Sequence, residues 1–196
     1  MKIRNLYSTS AIYCRNFVAN LRHNAEGVAA LEFALVAPIL LMLFLGSVEF
    51  SQALTLDRRV TSVASSTADL VAQSESVSTA DLADIIQLAN DIIESALVMN
   101  FEPNLFEVKL VSVVTDDEGV ATVDWSYQNG GSEPYPNGSS YANLPTGLLG
   151  PLESVVISEV KYTFNPEIGK FLVGGVNLEE TSYLRPRRSL SVTKTN

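Results

Sequence analysis

Beyond residue 26 this sequence has neither cysteine nor histidine: Cys14 is the one thiol and His23 the one imidazole. The chain after them cannot build a Cys/His or Ser-His-Asp nucleophilic site, or a His-ligated zinc centre, within one copy. A single cysteine also excludes an intrachain disulfide. Carboxylates, serines and lysines are what remain. Asp116, Asp117, Glu118 and Asp124 gather around a candidate turn. Oxygen-only coordination of calcium is one use of such a cluster, although the spacing departs from an EF-hand loop; a plain acidic turn is the other. Asp81, Asp84, Asp91 and Glu94 read as the solvated face of a helix. Asn137-Gly138-Ser139 fits a glycosylation sequon and also an ordinary turn. Trp125, Tyr127, Tyr135 and Tyr141 form either a contact surface or core. Arg185, Arg187 and Arg188 are either a phosphate or carboxylate receptor or a solvated run. The expectation is a protein that is not an enzyme, with no catalytic residues, no metal ligands and no cofactor.

One carboxylate stands apart. Glu32 lies inside the most apolar stretch of the chain, Gly27 to Val48. The uncharged part, Phe33 to Val48, gives ~24 Å of helix, and adding Val28 to Leu31 brings it to a length that spans a ~30 Å hydrocarbon core. Glu32 is then drawn into the apolar zone, where an unpaired carboxylate costs about 2.5–3.5 kcal/mol at mid-membrane and less near an interface. It needs a partner, a proton or the headgroup region.

Charge divides about this run. Residues 1 to 26 hold Lys2, Arg4, Arg15 and Arg22 against Glu26, whereas the chain as a whole carries −9, so the part after the run is strongly acidic. A basic head, an apolar run and an acidic body predict a single-pass protein with its N-terminus in the cytoplasm and its bulk outside. The acidic body argues against nucleic acid as partner. A rival is a Sec signal cleaved at Ser51-Gln52-Ala53, a small-x-small pattern, although a 26-residue head is long for one.

Gly27, four residues, then Glu32-Phe33, behind a basic leader and at the start of an apolar helix, resembles the class III signal of type IV pilins. The wider stretch, with Pro38 inside the run, Gly46 and Glu49 at its exit and a Ser/Ala-rich helix from Val60 to Ala72, is similar to the TadE-like domain of tight-adherence (Tad/Flp) pilus systems. The resemblance implies cleavage by prepilin peptidase between Gly27 and Val28. It implies that Glu32, with Phe33 beside it, serves subunit assembly, its carboxylate pairing with the freed amine of a neighbouring subunit. It further implies an inner-membrane minor pseudopilin whose partners are other pilins and the Tad assembly machinery, with incorporation into an extracellular pilus as an extension. The alternative is an anchored or Sec-secreted periplasmic binding domain with no filament role.

The elements that would carry these residues can be read from periodicity. Residues 1–27 form the leader, 28–50 the transmembrane helix and 51–196 the exported domain, helical over 51–99 and β-rich over 105–188. Leu54, Val60, Val63, Ala64, Thr67, Ala68 and Val71 recur at helical spacing. Gln73 to Val77 breaks the stripe. Ser78-Thr79-Ala80-Asp81 reads as a capping box opening a helix whose Leu82, Ile85, Ile86, Ala89, Ile92, Ile93, Ala96 and Leu97 share one face; Asn100 to Asn104 ends it. Period-two alternation over Leu105–Val114 and Val120–Tyr127 predicts a hairpin. Ser154–Phe164 predicts a third strand, Val176–Leu184 a fourth, with an exposed loop over 128–150 and a polar tail. The predicted class is α+β and pilin-like: a long N-terminal helix continuing outside the membrane, a second amphipathic helix, and a small antiparallel sheet of three or four strands with the helices on one side.

Overall fold

The computed structural model describes residues 27–95, 102–166, 169 and 174–195. The leader with Cys14 and His23, Ala96 and Leu97 of the predicted helical stripe, and Asn100 lie outside them. The chain divides into two compact units, Met1–Val48 and Glu49–Asn196.

The described part of the first unit is one stretch of helix α1 (Val28–Ala72). Its apolar side chains point in every direction and none is buried: Leu31, Phe33, Leu35, Leu40, Met42 and Phe44 are all exposed. Pro38 removes an amide from the ladder without breaking the helix. A helix that is apolar all round and uncovered has the surface of a membrane span.

In the second unit α1 becomes one-sided. Leu56, Val60, Val63, Ala64, Thr67, Ala68, Val71 and Ala72 are buried, at spacings of three and four that make one face. Leu54, expected in this stripe, is exposed; Leu56 takes its place, since 56-60-63-67 keeps the helical period and 54 does not. A short strand β1 (Ser76–Ser78) follows, then helix α2 (Thr79–Glu94). The capping box is present in full: the Asp81 amide donates to Ser78 Oγ at 3.1 Å and the Ser78 amide donates to Asp81 Oδ2 at 2.8 Å. The Ser78 amide and, at 2.7 Å, the Ser78 hydroxyl both donate to Asp81 Oδ2 and hold that carboxyl below its usual range. Leu82, Ile86, Ala89 and Ile93 are the buried face of α2.

Strands β2 (Phe106–Thr115), β3 (Ala121–Gln128), β4 (Ser154–Phe164) and β5 (Val176–Leu184) form an antiparallel sheet in the order β3-β2-β4-β5. A bulge between Ser112 and Val113 shifts the β2–β3 register, which puts Trp125 and Tyr127 on one face and Val123 on the other. The first face, with Val108, Leu110, Val156, Val160 and Tyr162, packs on the buried stripes of α1 and α2 in one core. Where α1 crosses β4, Thr67 Oγ1 and Ser158 Oγ lie 2.7 Å apart, both buried.

The other face is covered too, by the loop expected to be exposed. Tyr141, with Tyr135, Leu144, Leu148 and Leu149, closes over Val111, Val113, Val123, Val155 and Ile157. Those four valines and Ile157 are the reason: a strand pair apolar on both faces needs two covers. The polar tail is likewise structured. Its strand β6 (Thr193–Thr195) pairs in parallel with β1, Val192 is fully buried, and Trp125 Nε1 donates to the Val192 carbonyl at 2.6 Å.

Candidate functional site

Gly27 sits at the very start of α1 and is exposed. A Cβ built on it would meet no heavy atom within 4 Å. Val28 is the first residue of the helix and is half exposed. Glu32 and Phe33 follow one turn later, both exposed, with Phe33 at 69%. Helical spacing sets Val28 and Glu32 on the same face, and side chains lean toward the N-terminus of a helix. Any amine created at Val28 therefore lies at the end of the molecule toward which the Glu32 carboxylate leans. Glu32 has no ion-pair partner among the described residues. The four predicted residues thus lie within the first seven positions at one helix end, Gly27 to Phe33, with the apolar surface beginning beside them.

That surface is as long as a membrane is thick. From Val28 to Val48 the helix measures ~31 Å, against a hydrocarbon core of ~30 Å. Its most apolar window has a mean hydropathy of 2.5 and no part of it is buried. Among the described residues one helix is therefore long and apolar enough to cross a membrane, near the N-terminus.

The other candidates resolve into structure. Asp116 is a turn former: its Oδ1 accepts the amides of Glu118 at 3.0 Å and Val120 at 2.7 Å, while Gly119 supplies the positive φ of +82° the turn requires. Burial pushes the Asp124 carboxyl up. Among the described residues no group of three or more acidic side chains converges as a metal site would. The arginines expected as a receptor or a solvated run are each paired: Arg185 with Glu153 at 2.8 Å, Arg187 with Asp69 at 2.6 Å, Arg188 with Glu75 at 3.9 Å.

One arrangement carried no sequence signal. Glu159 accepts the hydroxyls of Tyr135 and Tyr141, and Lys109 stands 3.9 Å from it. The partners come from a strand and from a loop more than ten residues earlier, and no local spacing links them. Beside this cluster a shallow cleft of about 260 Å³ opens between Lys109, Asn143, Lys161 and Glu179. Its two lysines are already paired, Lys161 with Glu179 at 2.6 Å and Lys109 with Glu107 at 3.4 Å. The cluster fastens the loop to the sheet.

The family model described as TadE-like protein matches residues 27–69. The matched segment begins at the exposed glycine, includes the whole uncovered apolar run and ends within the half of α1 that packs on the sheet. No curated protein and no solved structure matches the chain.

Proposed function

We propose, from the match of residues 27–69 to the TadE-like family model, that the chain is a structural component of a Tad-type pilus or secretion system, a minor pseudopilin. In this reading prepilin peptidase cuts between Gly27 and Val28 on the cytoplasmic side of the inner membrane. The helix from Val28 to about Phe50 holds the subunit in the bilayer, with the α+β unit in the periplasm. On assembly the same helix leaves lipid and packs among the helices of other pilins, where Glu32 is neutralised by a freed α-amine. Tad machinery supplies the extraction, and the subunit enters the pilus.

The observation that carries the reading is the pairing of an uncovered, membrane-length apolar surface with a carboxylate at its start. A permanent anchor gains nothing from Glu32. A helix that later packs beside an amine does. The rival Sec cleavage site, Ser51-Gln52-Ala53, falls in the interior of α1, with Ala53 packed against the core.

N-terminal sequencing of the mature protein tests this. The proposed reading requires a start at Val28; a start at Leu54 or at Met1 sinks it. Gly27→Val, which adds a branched side chain where the cleft must close on bare backbone, should leave the full-length chain to accumulate.

A further inference from the structure

The second unit carries two unlike surfaces at opposite ends. At the end where α1 stops, three segments meet. The Asp116 amide donates to the Val120 carbonyl at 3.2 Å, and the Leu152 amide donates to the Asp116 carbonyl at 3.1 Å. The Ser154 hydroxyl donates to the Leu190 carbonyl. Each segment leaves a large apolar side chain in water: Val120 is 50% exposed, Leu152 72% and Leu190 89%. Leu152 also holds a φ of +59°, in a turn after Pro151 where glycine or asparagine is unstrained. So exposed a side chain contributes little to the core, and a glycine would donate the same hydrogen bond.

Charge at this end is unbalanced. The arginines here are consumed internally by Glu153, Asp69 and Glu75. Asp117 and Glu118 have no cation beside them among the described residues. The end where α1 enters the unit is the converse. Phe50 and Leu54 are exposed one turn apart, and Arg58 follows one turn later with Arg59 adjacent. Every other lysine or arginine among the described residues has a carboxylate partner; Arg58 and Arg59 have none.

We propose that the Val120–Leu152–Leu190 end of one copy docks on the Leu54–Arg59 surface of a second copy, leucine on leucine and Asp117 and Glu118 on the arginine pair. The contact rests on the proposed role in filament assembly. The two patches differ, so it is head-to-tail, and unless its rotation closes a ring it extends as a row. The patches are also separated along the helix axis: Arg58 to Ala72 alone is ~21 Å.

The test uses the full-length chain in its native membrane, with Cys14→Ser to remove the only thiol. One copy carries Leu152→Cys and a differently tagged copy carries Leu54→Cys; the two are joined with a short bismaleimide. The expected result is a mixed 152–54 dimer, reduced at least tenfold by Arg58→Glu with Arg59→Glu. Placing Asp117→Lys with Glu118→Lys on the other copy should restore it. Absence of the mixed dimer, yield indifferent to charge reversal, or an equal yield of 152–152 dimer overturns the proposal. N-terminal sequencing of the same samples separates the two failures. A start at Val28 without the cross-link defeats only this contact, whereas a start elsewhere defeats the assembly reading and the contact with it.

Discussion

The Tyr141 hydroxyl and Glu159 Oε1 lie 2.5 Å apart on the face of the sheet turned away from the helices, and Tyr135 donates to the same carboxylate at 2.9 Å. This is what closes the loop after β3 over the second core. Glu159→Ala leaves two phenol hydroxyls without their acceptor, one of them on a buried ring. The expected loss is about 1–3 kcal/mol, read as a lowered urea midpoint with unchanged slope. Glu159→Gln keeps one acceptor oxygen and should lose less. An equal loss for both would mean that the hydroxyls find other partners.

The same cluster sets an alkaline limit. Burial and the Glu159 carboxylate push the Tyr135 hydroxyl up to about 12 and the Tyr141 hydroxyl up as well. An unfolded tyrosine titrates near pH 10. Above that pH the unfolded chain has released protons that the folded chain still binds, so stability falls as pH rises. The contribution of Tyr135 is complete below about pH 10 and disappears between about pH 10 and about pH 12. Far-UV circular dichroism at fixed urea should show unfolding across this window. Tyr135→Phe should make the decline shallower by up to one proton per molecule.

Much of this architecture was legible because it is local. The Ser78–Asp81 box, the α2 stripe, the hairpin and the strands at 154–164 and 176–184 each follow from residues a few positions apart. The anchor and its Gly27–Glu32 spacing are legible for the same reason. What escaped was non-local. The tail reads as polar because its strand pairs edge-on with β1 and contributes one buried side chain, Val192. The loop at 128–150 reads as exposed because its tyrosines and leucines are scattered among Gly, Pro and Asn. Their shared destination is set by the second apolar face of β2 and β4, which is far away in sequence.

The tail is a clasp that can be tested through the one tryptophan in the chain. Trp125 Nε1 donates to the Val192 carbonyl, and the Lys194 ammonium pairs with Glu133 at 2.7 Å and lies 5.9 Å from the Tyr127 ring centroid. Deleting residues 189–196 should uncover the indole and shift its emission to the red. Val192→Ala, which removes a fully buried branched side chain, should cost about 2 kcal/mol without moving the emission of the folded state. An unshifted spectrum in the deletion would show that the tail does not cover the indole.

Removing the Thr67–Ser158 contact tests how α1 is locked to the sheet. Thr67 Oγ1 also reaches the Val63 carbonyl at 2.7 Å, so Ser158→Ala leaves it satisfied and should cost about 1 kcal/mol or less. Thr67→Val strands the Ser158 hydroxyl, which is fully buried, and should cost more, about 1–3 kcal/mol. The double variant should lose less than the sum, because the stranded hydroxyl is gone. Additive losses in urea unfolding would mean that the two oxygens are not coupled.

Glu32 separates maturation from assembly. It lies five residues past Gly27, outside the bond that the peptidase breaks, so Glu32→Ala should still yield protein beginning at Val28. It should also remain in the membrane fraction, since losing a carboxylate makes the apolar run easier to insert. What it loses is the partner of the new α-amine. An amine left without a counter-charge at a helix–helix contact in low dielectric disfavours packing, so the variant should be absent from sheared pili or reduced at least tenfold there. Glu32→Gln should fail in the same way, because the amide keeps the shape and a hydrogen bond but carries no charge. If the glutamine variant assembles at the wild-type level while the alanine variant does not, the carboxylate works as a hydrogen-bond acceptor and the ion-pair mechanism is wrong.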